Sequence, residues 1–198
     1  MKRKNIILIG AGGHATSCID VIETTNKFKI IGLIDKKNKN YLKIGNKKYK
    51  IFNEKEILNN KKSLYALICI GSNLLIKKRD ILFKKYKKLG FKFPKIISPF
   101  SYVSKFSKIK DGTIIMHKAI INSNVKIGSN CIINTKSLIE HDCVIGDNSH
   151  IATSVNINGH VKIGKNCFIG SNATLVPSVK IKDNSFIKAG RLIKKNYV

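Results

Sequence analysis

The sequence has no tryptophan, only three prolines, and only 11 acidic residues among 198 positions. Arginine is scarce too: the 38 basic residues include just Arg3, Arg79 and Arg191. No apolar run approaches the ~18 residues that cross a bilayer, so no membrane partner is expected. Met1 to Ala15 opens like a secretion signal, with Lys2, Arg3 and Lys4 ahead of Ile6-Ile7-Leu8-Ile9. The apolar run then stops and enters Gly10-Ala11-Gly12-Gly13-His14, which reads instead as a buried first strand of a cytoplasmic protein. The five cysteines (Cys18, Cys69, Cys131, Cys143, Cys167) contain no C-x-x-C pair and no zinc spacing. That excludes a cysteine metal centre and points to reduced thiols.

The shortage of acid leaves a net charge of +27. A field of this sign attracts nucleic acid and anionic membrane. Nucleic-acid readers, however, use arginine forks interleaved with aromatics, and neither is present. The lysines read as solvated, with no nucleic-acid partner, although they favour capture of anionic small molecules. Charge also divides the chain: residues 1–96 carry a net +18 and residues 97–198 a net +9.

The strongest pattern is a repeat. From residue 109 the sequence divides into fifteen hexapeptides, whose first position is Ile fourteen times and Leu once, at Leu175. Two weaker copies, Ile97–Tyr102 and Val103–Lys108, extend the frame backwards. Position five is small in the first thirteen units, from Thr113 through Cys131, Cys143 and Cys167 to Ser185. A large aliphatic residue followed four places later by a small one suits a narrow prism, three hexapeptides making one triangular coil. Coils then stack at the ~4.8 Å spacing of paired strands. A period of six does not match the 3.6 of an amphipathic helix. Arg191 and Tyr197 break the small-residue rule, so the regular prism is expected to end near residue 190.

Ahead of the repeat, strands are expected at 4–10, about 29–34, 48–52 and 64–70, with helices over 14–26 and 74–89. This alternation implies a Rossmann-like parallel α/β sheet in a first domain, 1–96, followed by the repeat domain, 97–198. Gly10-x-Gly12-x-x-Ala15, with Asp35 twenty residues on, imitates a dinucleotide fingerprint. The segment is long enough for one mononucleotide half only, which favours a nucleotide-sugar site over NAD.

Folding the repeat into 18-residue coils stacks His141 against Gly159, Asp142 against His160, and Thr153 against Ser171 and Ala189. Acyl transfer from a thioester needs a base near neutrality and a donor for the developing oxyanion. His141 suits the base, Asp142 raises its basicity, and the Gly159 N–H suits the donor.

Leu138-Ile139-Glu140-His141-Asp142-Cys143-Val144-Ile145-Gly146-Asp147, with Ser149-His150-Ile151, resembles the family of sialic-acid O-acetyltransferases and UDP-4-amino-sugar N-acetyltransferases of the bacillosamine type. The likeness extends to Gly10-Ala11-Gly12-Gly13-His14 and to Ile70-Gly71-Ser72-Asn73. It implies a left-handed parallel β-helix, a homotrimer, acetyl-CoA as co-substrate and no metal. It also implies His141 as general base tuned by Asp142, and acetyl-CoA contacts at His150, Gly159, Ser171 and Ala189. The sugar nucleotide would sit at Gly12, Gly13, His14, Asp35, Lys36 and Gly71. Relatives commonly continue into a Gly-x-Pro-Ala-Lys segment that is absent before Val198, so a shortened outer end of the cofactor site is expected. The expected activity is N-acetylation of a UDP-linked 4-amino-4,6-dideoxy sugar. O-acetylation of a sialic or related nonulosonic acid and a catalytically silent β-helix scaffold stand as alternatives.

Overall fold

A computed structural model describes residues 3–36, 40–59, 64–71 and 76–197. The front domain runs β1 (Lys4–Ile9), α1 (Gly13–Thr25), β2 (Phe28–Ile34), β3 (Tyr41–Ile44), β4 (Lys47–Phe52), α2 (Glu54–Asn59), β5 (Tyr65–Ile68) and α3 (Ile76–Lys88). Its sheet has the order β3-β4-β2-β1-β5. The continuous apolar run Ile6–Ile9 lies in β1, between β2 and β5, and is almost fully buried. A buried parallel strand requires that composition.

The expected all-parallel sheet is corrected at one edge. β3 is an additional strand, antiparallel to β4 in a hairpin that pairs Ile44 with Lys47. Only Gly45 and Asn46 separate these partners, and Gly45 takes φ 54, the left-handed conformation a two-residue hairpin turn calls on.

From Ile96–Ile97 to Leu192–Ile193 follow seventeen two-residue strands, one per hexapeptide. Each inner strand pairs in parallel with the strands one coil before and after, and together they form three sheets of a left-handed β-helix. Position one points inward: Ile115, Ile121, Ile127, Ile133, Ile139 and their successors fill the interior beside the small position-five residues. Burial pushes the Cys131 thiol up to about 12 and the Cys143 thiol up to about 11, so these inward cysteines are packing groups.

The corners depend on a feature beyond positions one and five. Position four adopts left-handed φ, between 54 and 72, in every unit from Gly112 to Gly190. Eight of these fourteen residues are Asn or Gly, the types that enter this region at least cost. Pairing also extends past the expected end. Leu192–Ile193 still pairs with Thr174–Leu175, and Tyr197 bridges to Ile181. Arg191 is exposed on this last coil, where a long side chain at position five can leave the interior.

The three faces differ in their outward residues. Face one (Ile96, Ile114, Ile132, His150, Phe168, Phe186) packs its first three under α1, in a shared cluster with Cys18, Ile19 and Ile22. Face two shows Tyr102, Ile120, Leu138, Asn156, Thr174 and Leu192, and face three shows Lys108, Lys126, Val144, Lys162 and Lys180.

Polar ties fix the front domain on the β-helix. Arg79, 1 % exposed, reaches from α3 to the carbonyls of Ile68 and Ile70 and to the carbonyl of Asn130 at 2.7 Å. Asn130, Asn148, Asn166 and Asn184 form a side-chain ladder up the corner between faces three and one, and Asn148 also donates to the Ile76 carbonyl. Among the described residues no helix is long and apolar enough to cross a membrane.

Candidate active site

His141 and Asp142 occupy the corner between faces two and three. Asp142 takes φ 60, which turns its carboxylate back toward the preceding residue. His141 Nδ1 lies 2.8 Å from Asp142 Oδ2. The other carboxylate oxygen accepts from Asn124 Nδ2, one coil earlier, at 3.2 Å. These two hydrogen bonds, the one from His141 first, hold the Asp142 carboxyl below the usual carboxylate range. An ionised Asp142 makes Nδ1 the protonated nitrogen of neutral His141 and leaves the Nε2 lone pair free to act as a base.

One coil further on, Gly159 lies under the ring. A Cβ on Gly159 would stand 2.8 Å from both Cε1 and Nε2 of His141, so only glycine leaves space for the imidazole. The Gly159 N–H makes no hydrogen bond among the described residues. His160, at φ 61, sets its ring edge against His141 with centroids 5.1 Å apart. An exposed imidazole, its carboxylate partner and a buried backbone N–H without a partner among the described residues therefore meet at one corner. A cleft of about 430 Å³ beside Phe83, Phe91 and Phe93, and one of about 180 Å³ beside Phe168 and Phe186, are not lined by His141, Asp142 or Gly159.

The other expected cofactor contacts lie elsewhere in the single chain. Ser171 and Ala189 stack on the corner between faces one and two, where Gly190 N–H donates to the Ser171 carbonyl. His150 is 4 % exposed on face one, under the front domain, with neither ring nitrogen hydrogen-bonded among the described residues. Its ring lies 6.3 Å from that of His14 and edge-on to Phe168 at 5.0 Å. Burial, then the nearby Arg79 and His14, lower its pKa to about 3, so it is neutral.

The front-domain residues do converge. Gly12 caps α1 without a side-chain hydrogen bond, and among the described residues nothing lies within 4 Å of a Cβ placed on Gly12 or Gly13. Helix N-terminal amides in such a loop suit a phosphate. Asp35 Oδ2 accepts the Ala11 N–H at 2.7 Å and so closes the glycine loop onto the end of β2. Gly71 makes room for His14, since a Cβ there would stand 2.5 Å from its Cγ. Lys36 is exposed beside Asp35, while Ser72 and Asn73 lie outside the described residues. Sequence reasoning missed Asn124, although its spacing of 18 from Asp142 was available.

Residues 5–85 match the PglD N-terminal domain. Residues 106–141 match the bacterial transferase hexapeptide (six repeats), and residues 160–195 match the hexapeptide repeat of succinyl-transferase. The chain thus joins a segment similar to the PglD N-terminal domain to segments similar to transferase hexapeptide repeats. Solved structures of this architecture superpose over nearly its full length. The acetyltransferase domain of PglB from Neisseria gonorrhoeae FA1090 gives a TM-score of 0.89 at 22% identity, covering 99% of this chain and 94% of that one. A histidine-to-asparagine mutant of perosamine N-acetyltransferase from Caulobacter crescentus, in complex with CoA and GDP-perosamine, gives 0.88 at 25% identity, covering 97% and 89%. WeeI from Acinetobacter baumannii AYE gives 0.74 at 18% identity, covering 96% and 94%. The PglD-type front domain thus sits beside a β-helix whose exposed corner carries the His141–Asp142 pair.

Proposed function

We propose that this chain transfers the acetyl group of acetyl-CoA to the amine of a nucleotide-linked amino sugar, of the UDP-4-amino-4,6-dideoxyhexose type. The observation that carries the reading is His141, held by Asp142 and seated over the Gly159 backbone. The Caulobacter protein of the same fold, named an N-acetyltransferase, is solved with CoA and a nucleotide-linked sugar. That supports the class of both substrates.

In this mechanism the neutral amine attacks the thioester carbonyl carbon, forming a C–N bond as the C–S bond breaks. His141 Nε2 accepts the proton lost by the nitrogen, and Asp142 stabilises the resulting imidazolium. The Gly159 N–H faces the negative charge that develops on the carbonyl oxygen. The imidazolium then returns its proton to the departing thiolate of CoA.

Residues 1–96 hold the sugar nucleotide through Gly12, Gly13, His14, Asp35, Lys36 and Gly71, and residues 97–198 carry the transfer. Ser171, Ala189 and His150 contribute to the cofactor site. Because they stand on other parts of the prism than His141, a second copy of the chain completes that site. Face two supplies the contact: Tyr102, Ile120 and Leu192 are 58%, 41% and 52% exposed, whereas face three is lined with lysines. A homotrimer fits this arrangement. Five free cysteines and metabolite substrates suit the cytoplasm.

The test is acetyl-CoA-dependent release of CoA thiol with UDP-linked and GDP-linked 4-amino sugars and with sialic acid. Release with an amino sugar supports the reading, and the preferred nucleotide names the acceptor. Release with sialic acid alone moves the reading to O-acetylation, and acetyl-CoA that neither reacts nor binds leaves a scaffold.

A further inference from the structure

We propose that His141, Asp142 and His160 form a binding site for a divalent transition-metal ion of the zinc class, and that filling it switches acetyl transfer off. The switch rests on His141 being the base; the ion site does not.

Each of the three residues offers one ligand atom, and all three atoms lie within 4.8 Å of one another. The His141 and His160 rings meet edge to face, 87° apart. Their relative position is held by the backbone, because His160 N–H donates to the His141 carbonyl at 3.0 Å. Asp142 is fixed from the other side by Asn124. Gly159 leaves the room that lets the His141 ring lie beside its neighbour. The set is therefore assembled by three successive coils, with His141 and His160 exposed and Asp142 half-buried.

Two imidazoles and one carboxylate suit zinc and its neighbours, which take nitrogen readily, and do not suit magnesium or calcium, which want oxygen. Three protein ligands leave a fourth position for water. Ligand atoms around a tetrahedral zinc are roughly 3.3 Å apart, so modest torsions of these side chains close the set. The net charge of +27 opposes a cation at long range, but a Debye length of about 8 Å at physiological salt screens most of it. A bound ion takes the imidazole lone pair that the base requires, and transfer stops.

The experiment is calorimetric titration of the full chain with zinc in chelator-free buffer, alongside His160→Asn. Asparagine is the commonest residue in this left-handed position, so the variant keeps the fold. One ion per chain is expected, with affinity reduced about tenfold or more in the variant. In metal-free buffer the variant should transfer acetyl groups as the parent does, and zinc should inhibit it only at correspondingly higher concentration. No binding by the parent, or equal binding by the variant, overturns the site. Zinc binding that His160→Asn removes, in a protein without acetyl transfer under any condition, keeps the site and removes the proposed activity instead.

Discussion

The His141 imidazole occupies the space that a side chain at Gly159 would take, with the missing Cβ 2.8 Å from Nε2. Gly159 has no left-handed φ, so its role is room rather than backbone freedom. Gly159→Ala should displace the ring while leaving the coil intact. Turnover is expected to fall about tenfold or more, since a general base contributes about 100- to 10,000-fold. Melting temperature should stay close to that of the parent. A variant with parental turnover would mean that the ring position seen here does not matter to the chemistry.

His141→Ala removes the proposed base and should lower kcat by about 100- to 10,000-fold. Asp142→Asn keeps the shape but loses the charge that stabilises imidazolium, and it should give a smaller loss in kcat. Both side chains are exposed, so neither change should cost stability. Steady-state kinetics with unchanged circular dichroism would check both.

Much of this arrangement was legible before the structure. A period of six sets the inward Ile and the small corner residue, and a coil of 18 brings His141 over Gly159. The left-handed corner was also legible, in the recurrence of Asn at 124, 130, 148, 166, 172 and 184, but its meaning depends on backbone geometry rather than hydrophobic pattern. The β3–β4 hairpin was signalled by Gly45-Asn46 and was hidden by weak apolar alternation among lysines. The place of His150 was not legible. Period alone puts it on an outward face, and only docking of α1 on that face buries it against His14.

His150 gives the fold a pH dependence. Its folded value of about 3 lies below the ~6.5 of an unfolded histidine. Between those values the unfolded chain binds a proton that the native state refuses. Stability is therefore lost as pH falls from ~6.5 toward 3, by up to about 1.4 kcal/mol per pH unit, and is unaffected above that window. Burial is the main cause, with Arg79 and His14 facing the ring. His150→Phe, stacking on Phe168 in the same slot, should flatten this slope in urea unfolding at pH 4 to 7. An unchanged slope would place the titration elsewhere.

The asparagine ladder should matter more than its polar composition suggests. Asn148 is 2 % exposed and bonds to Asn130, Asn166 and the Ile76 carbonyl. Removing its amide leaves those buried partners unsatisfied, at roughly 1–3 kcal/mol. Asn148→Ala also leaves φ 60 to a residue without the short polar side chain that lowers the cost of left-handed backbone. Chemical denaturation should show a loss in that range, whereas Asn172→Ala, with no side-chain ladder bond among the described residues, should lose only the conformational part.

In the proposed homotrimer, face two carries the contact that would share the site between copies. Leu138 stands on that face, next to the His141 corner, in register with Ile120 on the coil before it and Asn156 on the coil after. Ile120→Lys with Leu138→Lys would put two like charges one coil apart on this face, extending the lysine pattern of face three. The β-helix interior is untouched, because the inward partners Ile121 and Ile139 are unchanged. Each chain should therefore fold, while its assembly dissociates in sedimentation velocity and acetyl transfer falls with it. Loss of assembly with full activity would confine the whole site to one chain. An assembly that survives both charges would move the contact to another face.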